Sequence, residues 1–532
     1  MIDLIELFQN NITTTLSVEE HHFSKIQIGK YIATDSNFKF SLKFKSKIKA
    51  FRNHDYTWKE LKTEYIFNPY CPKAIVLEDG LYIQPNFNIG IWEINAKNPF
   101  ELIWEYQPSF ANPIVNYDKQ NLKEISETNY FNADCKNLAL LISKNNIVEI
   151  SRSKIPFTAT ACFTDHCDFD TLENLKIQRD FFRKHNVKVS KGFFLNHFSK
   201  RTDNASYEND NEEIDKWRQD GHEIVYHSLT QSIRENKIAI QEFVDFTPPF
   251  KIETWIDHGF QPYNLTLFKK NTLSPSTYES LLTNKGIKYL WNYLDSGTAT
   301  FGVLNQLNTS QFNLQSYSQG IKSFPLKTKA QLFLKLLLMH YFSKPAYQKV
   351  YRNLASSYKK VRNQKSLKNV FELTKHVLSF TKIGIALAFN WNMVKKTPFE
   401  HAKHAPILFK HRINSQTFTI FQTLEMVDFT NCLKRKSVDT FIDERGLFIA
   451  HTYFSVPMQY HTGRLIINNT INPLVDENFT YLSEQIKLNK IWNPTLNELA
   501  IYLDDFEKVE LDINEEGTIH CLHNFNYNTR TA

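Results

Sequence analysis

Between residues 155 and 293, short apolar runs alternate with longer helical patterns, and this rhythm constrains the fold of the chain more than any other feature. Strand candidates lie at 155–164, 187–195, 223–229, 251–257 and 287–293. Helical patterns fall between them at 171–185, 209–219, 232–244 and 276–285. Repeated units of this length require parallel strands, because each crossover helix returns the chain to the same end of the sheet. The expected fold is therefore α/β, a parallel sheet or barrel with helices outside. Strand patterns resume at 416–428 and 446–454, and a helix follows at about 476–488.

The flanking regions read differently. Residues 1 to about 150 hold runs of β-branched and aromatic residues broken by Asn-Pro, Gln-Pro and Asn-rich turns, which predicts a β-rich N-terminal domain. Residues 328–342 and 345–380 look helical and interrupt the α/β pattern. From Lys322 to Arg412 there are 19 lysines and arginines against two acids, Glu372 and Glu400. This net of +17 leaves the rest of a +7 chain at −10. Such a block suits an anionic partner: lipid head groups, a phosphate-bearing substrate or nucleic acid. Its Leu and Phe residues read as the core of a helical hairpin, with a helix lying on a membrane surface as the alternative. The tail, 509–513 and 518–522, reads as a β-hairpin. The division that results is 1–152 (β-rich), 153–321 (first α/β part), 322–412 (basic helical insertion), 413–505 (second α/β part) and 506–532 (hairpin).

With 532 residues, several domains are expected. The start of the chain has acids where a signal peptide needs basic residues, and no stretch reaches the ~18 apolar residues of a membrane span. Six scattered cysteines show no zinc-ribbon spacing. A cytoplasmic location with free thiols is expected, with peripheral inner-membrane contact through the basic insertion. The wealth of Asn, Lys and Ile fits an AT-rich bacterial genome.

Chemistry concentrates at strand ends. The segment 163–171 places Asp165, His166, Asp168 and Asp170 within six residues after the first strand. Carboxylates so close repel one another unless a metal or a proton sits among them. Asp170 or Thr171 also suits the N-cap of the next helix, and Cys167 reads as a small packing residue rather than a soft ligand. Further signals are His222 and His227 on the third strand, Asp257 and His258 at the end of the fourth, and His451 on a late strand. Each histidine alone is an ordinary core residue; together they converge if the strands are parallel.

These motifs resemble the polysaccharide deacetylases, carbohydrate esterase family four. Gly221-His222-Glu223-Ile224-Val225-Tyr226-His227-Ser228 is similar to the family's second motif, the segment 164–170 to its first, and His451 to its late general acid. Lys490 to Glu498 looks like the segment that closes such domains. The resemblance covers about 153–300 and 415–505. It implies a distorted (β/α) barrel that removes acetyl groups from N-acetylated sugars, nucleotide sugars or lipid-linked glycans with a divalent metal, Zn²⁺ first and Fe²⁺, Ni²⁺ or Co²⁺ as alternatives. It implies Asp165 as base, His451 as acid, and Asp168, His227 and one of His166 or His258 as ligands. Asp170, Asp257 and His222 are further candidates. The chain departs from the family at Gln231, where a second histidine is usual, and in the third motif, replaced by Trp255 to Gly259. The alternative reading is an inactive carbohydrate-binding or scaffold protein on the same fold. No specific nucleic-acid partner is expected, since no recognition motif accompanies the basic block.

Overall fold

The computed structural model describes residues 2–16, 25–33, 37–118, 123–127, 133–322, 324–337, 345–389, 391–455 and 464–532. The alternation seen in the sequence closes into a ring of seven parallel strands: β1 (Ala159–Asp165), β2 (Ser190–Phe193), β3 (Glu223–Tyr226), β4 (Thr254–Ile256), β5 (Tyr289–Thr298), β6 (Gln416–Met426) and β7 (Leu447–Thr452). β7 pairs with β1 over Thr160–Asp165, and β1 pairs with β2 at Asp165 and Lys191, so the ring has no free edge. The fold is an α/β barrel. The short strand Ile491–Trp492 adds to β1, and Leu408–Ile413 runs antiparallel to β6.

Both faces of these strands are covered, so their sequences are nearly continuous apolar runs. The two faces still belong to different cores. Cys162, Val225, Ile256, Trp291, Phe421 and Ile449 pack together inside the ring. Phe163, Tyr226, Trp255, Leu290, Ile420 and Phe448 pack outward against helices. The first helices around the barrel are α1 (Leu172–His185), α2 (Tyr207–Gln219), α3 (Asn236–Asp245) and α4 (Pro275–Asn284). Thr171, rather than Asp170, caps α1 by accepting from Asn174 N, as the short polar side chain at that position predicts.

The basic insertion supplies α5 (Leu326–Leu336), α6 (Pro345–Asn363) and α7 (Leu367–Phe389). The expected use of its apolar residues as core holds for Leu332 and Leu336, which are buried. It fails for one face of α7, where Leu367, Phe371, Leu378, Ile385 and Phe389 face solvent; the part of the expected helix at 338–342 lies outside the described residues. Two more barrel helices follow, α8 (Arg435–Asp443) and α9 (Pro473–Lys487).

The N-terminal region forms two six-stranded antiparallel sheets around a shared core that includes Phe40, Phe67, Trp92, Trp104 and Leu140. Its last hairpin, Pro113–Tyr117 with Lys123–Glu127, leaves the sheets and meets the barrel, where Tyr117 N donates to Thr266 O. The C-terminal hairpin, Glu510–Ile513 with Ile519–His523, returns to the N-terminal sheets, where Leu511 N donates to Asn86 O. No helix among the described residues is long and apolar enough to cross a membrane.

Candidate metal centre

Side chains alternate along a strand, and this decides which residues reach the barrel mouth. Cys162 and Thr164 share a face with His166; Val225 shares one with His227, Ile256 with His258 and Ile449 with His451. Since Cys162, Val225, Ile256 and Ile449 point inward, four histidines arrive on the inward register at the carboxyl ends of β1, β3, β4 and β7, where such folds place chemistry.

The rings form a continuous row. Centroids are 4.6 Å apart for His258 and His227, 4.6 Å for His227 and His166, and 3.9 Å for His166 and His451. Trp291 walls the row, 4.6 Å from His166 and 4.8 Å from His451. Gly192 on β2 lets the strands approach here: a Cβ would stand 2.4 Å from the Asp165 carbonyl oxygen and 3.4 Å from His227 Cβ. No side chain larger than glycine fits.

Asp168 sits against this row. Its Oδ2 accepts from His227 Nε2 at 3.0 Å, and its Oδ1 lies 3.4 Å from His258 Nδ1. Burial alone would raise its carboxyl, but His258 and the His227 hydrogen bond outweigh burial and hold it well below the usual carboxylate range. One ligand atom from each of His166, Asp168 and His227 lies within 4.8 Å of the others. Ligand atoms on one tetrahedral zinc ion lie about 3.3 Å apart, so the three groups would draw together by up to about 1.5 Å to share an ion. Burial lowers His227 to about 4 and pushes His166 far below its ordinary value, so both are neutral, the form that binds metal.

Three buried nitrogens in the row, His166 Nε2, His227 Nδ1 and His451 Nε2, have no hydrogen-bond partner among the described residues. Buried polar atoms are ordinarily paired. Two imidazoles and a carboxylate form a donor set that suits Zn²⁺ or Fe²⁺, and the orphaned nitrogens of His166 and His227 fit such an ion, while His451 lies outside the cluster. His258 is oriented by the loop itself. Its Nε2 donates to the backbone carbonyl of Gln231 at 2.8 Å, leaving Nδ1 toward Asp168. The Gln231 side chain turns away to accept from Ser199 and Ser232.

The other sequence-predicted residues lie elsewhere. Asp165 shares the outward register of Phe163, and this corrects its expected role as base. Its carboxylate pairs with Lys191, which also binds Asp170 and donates to Gln178 at 2.9 Å. Burial, opposed by Lys191, raises Asp165 to about 6. Phe169, at φ +69°, bends the loop so that Asp168 faces the histidines while Asp170 faces Lys191. Asp257, also outward, accepts from Leu265 N, Thr266 N and Thr266 Oγ1 and braces the turn after β4; burial raises it to about 7. His222 lies at the opposite end of the barrel and accepts from Val189 N at 3.2 Å. Burial raises the Cys167 thiol, and the cluster of candidate ligands does not include it.

Three residues were not foreseen. Asp295 on β5 places its carboxylate oxygens 3.1 and 3.2 Å from His451 Nδ1 and accepts from Thr423 at 2.6 Å. Lys123 of the N-terminal hairpin donates to the Tyr293 carbonyl at 3.2 Å; burial, opposed by Asp295, lowers it to about 8. Trp291 is the third. Mid-strand Asp295 carries no local signal, since its partner is 156 residues away.

No family model matches the chain, and no curated protein matches its sequence. Among solved structures it is similar to a xylosidase from Aspergillus niger at a TM-score of 0.20 and 13% identity, over 56% of this chain and 42% of that one. A variant of a GH31 dextranase from Flavobacterium johnsoniae, complexed with isomaltotriose, gives a TM-score of 0.21 at 7% identity, over 49% of this chain and 34% of that one. The matched region spans less than half of either protein, and likenesses this slight carry no argument.

Proposed function

We propose that this chain is a metal-dependent hydrolase that removes an acetyl group from the nitrogen of an N-acetylated sugar or glycan precursor, on a barrel of the polysaccharide deacetylase type. The observation that carries this reading is the His166–Asp168–His227 cluster, two buried imidazoles and a half-buried carboxylate, with a third histidine, His451, separately braced beside it. A divalent ion held by these three residues would polarise the amide carbonyl and acidify a water. His258, fixed by the Gln231 carbonyl, steadies Asp168. His451 is the acid–base residue. With Nδ1 donating to Asp295, its Nε2 is left to take a proton from the attacking water and deliver it to the leaving nitrogen as the C–N bond breaks. Asp295 stabilises the imidazolium between the two steps. The products are acetate and the free amine.

A saccharide substrate is supported by the rings that lead outward from the site. Trp291 meets Tyr293 at 5.0 Å, Tyr293 meets Tyr117 at 6.2 Å, and Tyr117 meets the exposed Phe260 at 5.1 Å. The test is acetate release by the purified chain from a panel of N-acetylated sugars, nucleotide sugars and lipid-linked saccharides. Release from at least one, lost on chelation and restored by Zn²⁺, Fe²⁺, Ni²⁺ or Co²⁺, is expected. No release from any of them by metal-loaded protein would end this reading.

A further inference from the structure

The helical insertion presents a face that the other described residues leave open. At 3.6 residues per turn, Leu367, Phe371, Leu378, Ile385 and Phe389 of α7 fall within an arc of about 40°. Their exposures are 92%, 75%, 60%, 55% and 87%. They form one stripe along a 23-residue helix, roughly 34 Å in length. Lys368, Lys375 and Lys382 are exposed too and follow one edge of the stripe, about 60–100° around from Leu367. The opposite side, with Leu373, His376 and Phe380, is less exposed; α6 packs against this helix, and Lys360 pairs with Glu372 at 3.4 Å.

An exposed apolar stripe of this size marks an interaction surface, and the charge beside it selects the occupant. A second copy would bring two blocks of +17 together. An anionic leaflet instead offers acyl carbon to the stripe and phosphate to the lysine row. We propose that α7 lies in the plane of an anionic lipid bilayer surface, its apolar stripe sunk among the head groups and its lysines on lipid phosphates. The helix is not long and apolar enough to cross a membrane. Leu332 of α5 lines a cavity with Thr298 and Val427, at the carboxyl ends of β5 and β6, so the insertion joins the barrel at the same end as the histidine row.

Flotation of the full chain with vesicles tests this. The wild-type chain should float with phosphatidylglycerol vesicles, less so at high salt, and stay down with pure phosphatidylcholine. The triple variant Phe371→Ser, Leu378→Ser, Phe389→Ser keeps the charge and should bind roughly tenfold more weakly or worse. Lys368→Gln, Lys375→Gln, Lys382→Gln should weaken binding as well. Absence of wild-type flotation with the anionic vesicles overturns the proposal without recourse to any variant. Undiminished binding by the serine variant also overturns it, since plain charge would then suffice. A stripe-dependent dimer without lipid would give the stripe to a second copy and overturn it too.

Discussion

Two buried polar clusters sit back to back at the end of β1. On its outward side Lys191 holds Asp165 and Asp170, Gln178 donates to Asp170 and Ser455, and no buried side-chain atom of these four residues lacks a partner. On its inward side four imidazoles and Asp168 crowd together, with three nitrogens unpartnered among the described residues. Both clusters are rich in the residues that enzymes use, and only satisfaction separates them. The outward cluster is finished by its own hydrogen bonds and holds β1, β2 and α1 together. The inward one leaves those of His166 and His227 open to the ion we propose.

The contrast can be broken from either side. Replacing His451 by Ala should lower acetyl hydrolysis about 100- to 10,000-fold while bound metal is retained. Asp295→Asn should cost about 10- to 100-fold through the same histidine. Equal loss of metal in either variant would show that the pair belongs to the ligand set instead. On the outward side, Lys191→Met strands two buried carboxylates. It should destabilise the fold by about 3–5 kcal/mol in denaturant titrations, and Asp165→Asn in the same chain should recover part of the loss.

Acid separates the clusters more gently. His227, His54, His222 and His411 are each lowered by burial from 6.5 to about 4, so the unfolded chain binds more protons than the folded one between those values. Their contribution to stability is full above pH 6.5 and falls away as the pH drops toward 4. Asp165 and Asp257, raised from 3.8 to about 6 and about 7, act in the opposite direction, with lesser help from Glu105, Glu223, Glu242 and Glu444. The lowered His166 and His185 add to the histidine side. The melting temperature should therefore decline between pH 6.5 and 4; a flat or rising profile would mean that these histidines are protonated in the fold.

The barrel was legible because its strands are short, apolar and regularly spaced by helices; all five early strand candidates and all four helix candidates have counterparts in the ring. The direction of each side chain was not. A parallel barrel strand is buried on both faces, so hydrophobicity does not tell inward from outward. Asp165 and Phe163 share one face, and only the packing of Phe163 on Phe448 and Phe479 reveals that this face looks at the helices. The histidines carried the missing signal jointly, each two residues beyond an inward aliphatic or Thr164. α7 misled for a related reason. Its apolar spacing is that of a core helix, and nothing local says that the stripe faces away from the protein.

The metal content of purified protein tests the account most directly, measured for the wild-type chain, His227→Ala, Asp165→Asn and Gln231→Ala. About one divalent ion per chain is predicted for the wild type, with none retained by His227→Ala. Asp165→Asn and Gln231→Ala should keep the ion, because one carboxylate belongs to the Lys191 cluster and the other side chain only receives two serine hydroxyls. A wild-type chain that holds no ion after metal loading, or an Asp165→Asn variant that folds and loses it, would contradict the assignment of the inward row as the metal centre.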